Sequence, residues 1–206
     1  MSRLLIFGLG YTAKRIASAM EAHGWTVSAT GSAGDIDFTD SQSVLAGVES
    51  ASHILSSVPP DRKTGGDPVL DTYGAALAGR ALFYLSCPGR SIRRARRIDL
   101  PGQVFSRVHV DDIASGVVAA MMENAPAGAY NLGDDLPASG NAITEHACAL
   151  LGVEPPKMET LEEANLSEMA RGFYAENRRV ANGKAKRILG WRPKYPTYVE
   201  GLASLR

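Results

Sequence analysis

The sequence has few cysteines, no charge imbalance and no long apolar run. Cys87 and Cys148 are its two cysteines; they form neither a disulfide framework nor a metal-ligand spacing, so we expect reduced thiols and no bound metal. Basic and acidic residues number 22 each, and this balance points to neither nucleic acid nor a membrane surface. The first apolar run is too short for a signal peptide or a membrane span. These features favour a cytoplasmic protein.

A buried strand followed by a glycine turn opens the sequence. Residues 4–7 form a continuous apolar run, residues 12–22 carry apolar side chains at helical spacing, and residues 25–30 resemble a second strand. Between the first strand and the helix lies the pattern G-x-G-x-x-A. Gly8 permits the tight turn, Gly10 lets the backbone approach a pyrophosphate, and Ala13 allows close packing of the helix. An ordinary strand–helix turn is the alternative, but the flanking elements favour a dinucleotide site.

The predicted cofactor is NAD or NADP. The residue after the second strand usually selects between them, an acid for the NAD ribose and a base for the NADP phosphate. Thr30-Gly31-Ser32 supplies neither, so the choice stays open. The predicted cofactor contacts are Gly8, Gly10, Tyr11, Thr12, Ala13, Thr30, Ser32, Ser57 and Val58.

The fold class predicted is α/β, a Rossmann-like, doubly wound parallel sheet with a smaller C-terminal substrate lobe. Strands alternate with helices in the first half, and this alternation is typical of parallel sheets. We predict a Rossmann core over 1–103, and the last core elements plus the lobe over 104–206. Further strands are predicted at 35–38, 53–58, 81–86, 104–110 and 129–132. Further helices are predicted at 41–48, 67–79, 113–123, 143–151, 159–179, 183–189 and 198–205.

The connection at residues 31–34 is too short for a parallel sheet. It separates the predicted strands 25–30 and 35–38 by four residues, whereas a parallel crossover needs about a dozen. A helix and its loop are therefore expected to be missing at this point.

The sequence resembles the atypical and extended short-chain dehydrogenases/reductases, in particular their NAD-dependent epimerase/dehydratase-like branch. The resemblance is carried, in order, by "FGLGYTA", "ILSSVPP", "GGDPVL", "YLS", "PGRS", "PGQVFSRVHVDDIA", "YNLGDD" and "LGWRPKYPTYVEGL". It implies a Rossmann fold that binds NAD(P) and acts on sugar nucleotides or other small hydroxyl or carbonyl compounds.

The resemblance also shows what is missing near residues 86–88. In the family, a Tyr-x-x-x-Lys helix follows the strand ending in "YLS", and the lysine and cofactor lower the tyrosine pKa so that it can act as acid or base. Here "YLS" meets "CPGRS" directly, and the chain contains no Tyr-x-x-x-Lys: Tyr11, Tyr73 and Tyr174 are followed four residues on by Arg15, Leu77 and Arg178. The resemblance leaves Ser86 a supporting catalytic role at most.

Two functional classes follow from these gaps. If the intact protein carries further residues at 31–34 and 86–88, it is an NAD(P)-dependent epimerase, dehydratase or reductase, an oxidoreductase-type enzyme. If the gaps are genuine, it is a non-catalytic NAD(P)-sensing module. We favour the enzyme, and an intact protein larger than 206 residues, because a sheet without two crossovers would lose more than the ~5–15 kcal/mol stability of a domain. The sequence also leaves a homodimer open.

An arginine-rich stretch offers the second candidate site; it comprises Arg90, Arg93, Arg94, Arg96 and Arg97. Such a run is usually a solvated face, but a clamp for a substrate phosphate or carboxylate is the functional alternative. The family's substrate loop begins at "PGR", so we predict substrate binding by Arg90 and, second, by Arg107. Nucleic-acid binding is disfavoured by the zero net charge and the absence of interleaved aromatics. For His109 and Asp111 we predict helix capping and packing.

Overall fold

The computed structural model describes residues 2–61, 63–84, 96–122 and 125–205. The strands are β1 (Arg3–Phe7), β2 (Thr26–Ala29), β3 (His53–Ser56), β4 (Leu82–Tyr84), β5 (Arg97–Ile98) and β6 (Met158–Glu159). The helices are α1 (Tyr11–Ala22), α2 (Ser41–Ser50), α3 (Pro68–Leu77), α4 (Val110–Met122), α5 (Gly140–Leu151), α6 (Glu168–Tyr174), α7 (Gly183–Ile188) and α8 (Tyr198–Ala203). The chain divides into two compact units, one of residues 1–88 and 120–122 and one of residues 89–119 and 123–206.

The first unit is built on a four-stranded parallel sheet in the order β2-β1-β3-β4. Leu4 pairs with Val27 on one side and with His53 on the other, so β1 lies inside the sheet. The strand order runs outward from β1 in both directions, which makes the carboxyl ends of β1 and β3 a topological switch point. The predicted α/β class and Rossmann-like parallel sheet are confirmed.

The helices of the first unit begin where the sequence predicts them. Helix α1 buries Ala13, Ile16, Ala17 and Met20, the apolar face read from its spacing. Asp40 and Asp67 cap α2 and α3, each accepting two main-chain N–H bonds at the helix start. These side chains satisfy donors that a helix otherwise leaves without partners.

An aromatic cluster fills the core on the side of the sheet that packs against α2 and α3. Phe7 stacks on Tyr73 with 6.0 Å between ring centroids, and both rings meet the edge of Phe38. The Tyr73 hydroxyl donates to the Phe38 main-chain oxygen at 2.5 Å. Since Phe38 follows the short connection after β2, this bond fixes the path of that connection to the core.

The predicted strand at 35–38 is wrong; it reduces to a single parallel bridge between Thr30 and Ile36. The chain turns back within residues 31–34, and a Cβ on Gly34 would lie 2.1 Å from the Ala29 oxygen, so only glycine fits this approach. The Asp35 carboxylate accepts from Ala29 N–H at 2.7 Å, and Ile36 N–H donates to the Ala29 oxygen at 3.1 Å. These bonds replace strand pairing with a local loop.

The second unit is organised around Asp112 at the start of α4. Its side chain is 1% exposed and accepts from the N–H groups of Lys194 and Tyr195 at 2.6 and 3.0 Å. The indole N–H of Trp191 donates to the Asp112 main-chain oxygen at 3.1 Å. The segment 191–195 is thereby tied to α4 by bonds that each join a side chain to a main-chain group, which explains why it keeps a fixed path without being helix or strand.

Three predicted elements of the second unit are wrong. Residues 104–110 contain only bridges from Phe105, because Phe105 and its neighbours bond to 138 on one side and 178 on the other for one residue each. Residues 129–132 form no strand. The predicted helix at 159–179 is limited to α6, since Asn165 has a positive φ of 42° and Ser167 caps a new start.

The remaining helices of this unit, α4, α5, α7 and α8, match their predictions to within a few residues. Across the described ranges, every helix is too short or too polar to cross a bilayer.

Candidate functional site: the glycine turn after β1

The turn between β1 and α1 depends on Gly8. Its φ of +86° lies in the left-handed region, and a Cβ at this position would meet the Val58 Cγ2 at 3.0 Å. Both the backbone conformation and the contact exclude a side chain here. Val58, predicted as a cofactor contact, therefore lies against the turn.

The N-terminus of α1 is open beyond this turn. Gly10 is the N-cap; among the described residues no side chain caps it, no acidic residue lies in the first helical turn, and a Cβ at Gly10 would meet nothing within 4 Å. Lys14 N–H is the first to close a helical bond, to the Gly10 oxygen at 2.9 Å. The N–H groups of Tyr11, Thr12 and Ala13 thus precede the hydrogen-bonded part of the helix.

Such an end is chemically suited to an anion. Open N–H groups and the positive end of the helix dipole favour phosphate or carboxylate. The empty space beside Gly10 gives a pyrophosphate direct access to the backbone, and Tyr11, 68% exposed, stands at its rim. The residues of the turn fit the group that the fingerprint predicts.

Two hydroxyl groups hold Gly8 from the neighbouring strands. Thr30, directly after β2, accepts from Gly8 N–H through its Oγ1 at 3.2 Å. Ser57, directly after β3, donates its hydroxyl to the Gly8 oxygen at 2.6 Å. The structure thus brings together Gly8, Thr30, Ser57 and Val58, four of the predicted cofactor contacts.

The loop after β2 offers neither a charged acid nor a base to a ribose. Ser32 is exposed in this loop, and the nearby Asp35 carboxylate turns back to Ala29 N–H. Asp35 was not predicted from the sequence as a functional residue. The feature that could have identified it is an acidic residue shortly after the end of a strand. Its bond closes the edge of the sheet rather than leaving a carboxylate facing outward from the strand end.

The predicted substrate residues are only partly described. Ser86 and Arg90 lie outside the described residues, so their roles stay predictions. Arg107 lies in the second unit, where its Nη1 donates to the main-chain oxygens of Phe105 and Ala138 at 3.0 and 2.6 Å. Substrate binding by Arg107 stays a prediction, now alongside a structural role for its guanidinium.

The described end of the arginine-rich stretch makes contacts within the second unit. Arg97 forms an ion pair with Glu145 at 2.6 Å and donates to the Pro156 oxygen. Arg96 lies 3.8 Å from Glu159 and donates to the Ala164 oxygen. These two arginines therefore connect elements of the unit, which a fully solvated basic face would not do.

His109 and Asp111 act at the start of α4, as predicted. Asp111 N–H donates to His109 Nδ1 at 3.2 Å, and the His109 oxygen accepts from two N–H groups of the first turn. The Ser204 hydroxyl donates to the Gly201 oxygen at 2.8 Å and lies 3.3 Å from His109 Nε2. The His109 ring packs on Tyr195 with 4.1 Å between centroids.

Asp134 is a buried carboxyl that sequence analysis missed. It is 4% exposed, and its Oδ1 has no hydrogen-bond partner among the described residues. Burial raises the pKa of Asp134 to about 6, although main-chain N–H bonds and the Arg107 guanidinium oppose this shift. Its neighbour Asp135 binds Lys186 and Asn182 at 2.5 and 2.6 Å. Adjacent identical residues in "LGDDL" gave no signal that separates the two environments.

Solved structures of other proteins share this fold. No family model matches the chain. Over its full length the chain is similar to a solved structure of a functionally unknown conserved protein from Silicibacter pomeroyi DSS, with 30% identity, 98% of that chain covered and a TM-score of 0.84. It is also similar to the human epimerase family protein SDR39U1, solved with NADPH, with 13% identity, 98% of each chain covered and a TM-score of 0.65.

A curated relative is similar over part of the chain. A 3-diazoavenalumate denitrifying reductase from a Streptomyces species is 33% identical over 138 residues, which are 63% of this chain and 44% of the reductase. The match therefore spans less than half of that protein.

The parallel sheet, the switch point and these structures define an extended short-chain dehydrogenase/reductase fold of the NAD-dependent epimerase/dehydratase type. Among proteins with this fold, the chain belongs to the family of the Silicibacter pomeroyi protein.

Proposed function

We propose that the chain binds NAD or NADP with its pyrophosphate at the open N-terminus of α1. The observation that carries the proposal is the uncapped helix start beside Gly10, next to a turn that only Gly8 can form. The NADPH and NAD bound in similarly folded proteins support it. Thr12 and Tyr11 would flank the pyrophosphate, and Ser32 would face the adenosine ribose.

We further propose that the intact protein is an oxidoreductase that reduces a small molecule. Reduction is favoured over epimerisation because the relative at 33% identity is named a reductase, whereas the named epimerases are at most 16% identical. The bound nicotinamide would supply the hydride. This chain's own residues hold the cofactor; Ser86, Arg90 and Arg107 stay the predicted substrate-side groups.

A nucleotide-sensing module without catalysis is the second candidate. It is favoured by the absence of Tyr-x-x-x-Lys from the 206 residues. The short connection after β2 also supports it, because Asp35 and Ile36 satisfy Ala29 locally without a crossover. A sheet end closed in this way needs no additional helix to complete its hydrogen bonds.

Fluorescence titration with NADH and NADPH tests the cofactor proposal. We expect binding by the wild type and at least about tenfold weaker binding by Gly10→Ala, since a methyl group would occupy the space that the pyrophosphate needs. Gly74→Ala is the matched control, because a Cβ at this helical glycine also meets nothing within 4 Å. Equal binding by wild type and Gly10→Ala, or no binding by the wild type, would refute the proposal.

Two measurements on the protein purified from its native host separate enzyme from sensor. Intact mass shows whether the protein exceeds the 21.9 kDa of these 206 residues. Oxidation of NADPH or NADH, followed by absorbance with a panel of small carbonyl and diazo compounds, reports turnover. A mass of 21.9 kDa together with tight cofactor binding and no turnover would promote the sensor to first place.

A further inference from the structure

We propose that Thr30 and Ser57 are positioning residues that set the glycine turn in its phosphate-receiving form before the cofactor arrives. The inference rests on the proposed cofactor site and assigns these two side chains a role other than direct contact with the cofactor. It arises from one juxtaposition: the two main-chain polar groups of Gly8 are each bonded to a hydroxyl from a different neighbouring strand.

Thr30 is built into the protein interior. Its side chain is 1% exposed, its N–H donates to the Ile6 oxygen at 2.8 Å, and its oxygen accepts from Leu9 N–H at 2.9 Å. The hydroxyl therefore faces Gly8 from a residue whose main chain is fixed at both ends. A buried side chain in this position suits it to hold the turn and not to touch a ligand.

Ser57 binds the other main-chain polar group of the same residue, its carbonyl oxygen. Its N–H donates to the Phe7 oxygen at 2.9 Å, which extends the pairing of β3 with β1 by one residue. Its hydroxyl then reaches the Gly8 oxygen at 2.6 Å, and that oxygen also accepts from Gly10 N–H at 2.9 Å. The Ser57 bond therefore acts on the acceptor that closes the turn.

The two bonds act on a backbone conformation that is otherwise loosely determined. Glycine adopts many φ values, and the φ of +86° at Gly8 is one of several that are open to it. Fixing Gly8 fixes where Gly10 and the first N–H groups of α1 point. Affinity gained by such preorganisation appears because less order has to be created on binding.

Amide exchange in the cofactor-free protein gives the first test. In Thr30→Val, Gly8 N–H loses its acceptor, and we expect its exchange to become about three- to tenfold faster, the range that one hydrogen bond supplies. The Val44 amide in α2 reports global opening, so an increase at Gly8 beyond the increase at Val44 is local to the turn. Thr30→Ser keeps the hydroxyl and should restore slow exchange.

Cofactor affinity gives the second test. We expect Thr30→Val and Ser57→Ala each to raise the Kd for NADPH by about three- to tenfold, and Thr30→Ser and Ser57→Thr to stay within about twofold of wild type. Thr72→Val is the matched control, because the Thr72 hydroxyl bonds within α3, to the Pro68 oxygen. Thermal unfolding identifies any variant that has lost its fold; should Thr30→Val do so, Ser57→Ala carries the test alone.

The outcomes separate this inference from the proposed function. A wild type that binds no NAD(P)H refutes the cofactor site, while Gly8 exchange still decides whether the hydroxyls hold the turn. A wild type that binds, with hydroxyl-free variants that bind equally and exchange Gly8 equally, overturns the positioning role. A loss of affinity that Thr30→Ser and Ser57→Thr do not restore overturns it as well.

Discussion

Two helix starts in the first unit differ in one respect. Helix α3 begins with Asp67, whose carboxylate accepts from the N–H groups of Val69 and Leu70. Helix α1 begins with Gly10 and has no side chain to cap it among the described residues. Both helices follow parallel strands at the same edge of the sheet. The protein thus satisfies one helix end with its own side chain, and the other is the end at which we propose that an anion binds.

The second unit holds another polar group without a partner, and it shows what burial changes. No side chain caps the first N–H groups of α1, whereas Oδ1 of Asp134 is enclosed and has no hydrogen-bond partner in the part of the chain that the structure describes. At an accessible helix start, an N–H group without a partner can bind a ligand. The enclosed position of the Asp134 carboxyl disfavours its charged form, which is why the pKa of Asp134 is raised to about 6.

Capping α1 would remove the difference between the two helix starts. Of the changes considered, we expect it to have the largest effect, which is on the Kd for NADPH. In Gly10→Asp the new carboxylate would accept the open N–H groups and repel a pyrophosphate. The φ of −80° at Gly10 suits an aspartate. We expect the Kd for NADPH to rise about 100-fold or more, with the free energy of unfolding unchanged or a few tenths of a kcal/mol higher.

Titration calorimetry and thermal unfolding of Gly10→Asp check this separately for binding and for stability. Gly74→Asp in α3 adds the same charge away from the turn and should leave the Kd within about twofold. Unchanged NADPH affinity in Gly10→Asp would mean that the open end of α1 is not where the cofactor's phosphates bind.

Removing the enclosed charge would sharpen the contrast between exposed and buried groups. The folded pKa of Asp134, about 6, exceeds its ordinary value of 3.8, so the folded state holds the proton over a range in which the unfolded state has lost it. The free energy of unfolding should therefore fall as pH rises from about 4 to 6, by about 1–3 kcal/mol from this group. Asp134→Asn should lose this contribution.

Chemical denaturation at several pH values measures the difference between wild type and Asp134→Asn. Asp135→Asn provides the opposite sign, because bonds from Lys186 and Asn182 lower the pKa of Asp135 and make it stabilising above that pKa. Parallel pH curves for wild type and Asp134→Asn would show that the Asp134 carboxyl is not enclosed as the structure has it.

Removing the cap of α3 is the smallest of the three changes. In Asp67→Ala two N–H groups lose their acceptor, and we expect the free energy of unfolding to fall by about 1 kcal/mol. Thermal unfolding measures the loss, and Asp67→Asn should recover most of it. NADPH affinity should stay within about twofold; a large loss of affinity would show that the start of α3 also serves the cofactor.

The parts of the fold that local sequence determines could be predicted. The run at residues 4–7, the helical spacing after Gly10 and the Asp67-Pro68 start each report on neighbours within a few residues, and the structure has the strand and both helices. The strand predicted at 104–110 failed because the chain there bonds to partners about 30 to 75 residues away, one residue at a time. The spacing of apolar residues along the sequence does not indicate such long-range bonds.

The residues of the candidate site likewise fall into those that local sequence identifies and those that depend on distant segments. Gly8, Gly10 and Ala13 could be found by their fixed spacing. Asp134 could not, because its burial is created by segments distant in the sequence, and neither could the exact task of Thr30, which depends on a hydroxyl reaching Gly8 22 residues earlier. The expectation of additional residues at 31–34 and 86–88 stays a prediction, which the intact mass will decide.

The loop that closes β2 has a consequence for how the protein behaves at high concentration. In β2 the N–H and oxygen of Ala29 point away from β1, at the outer edge of the sheet, where a strand of another molecule could add. Asp35 and Ile36 occupy both groups. Opening this loop, for instance by a bulkier residue at Gly34, would expose a template for intermolecular strand pairing, so that fibrous aggregation would compete with folding during expression.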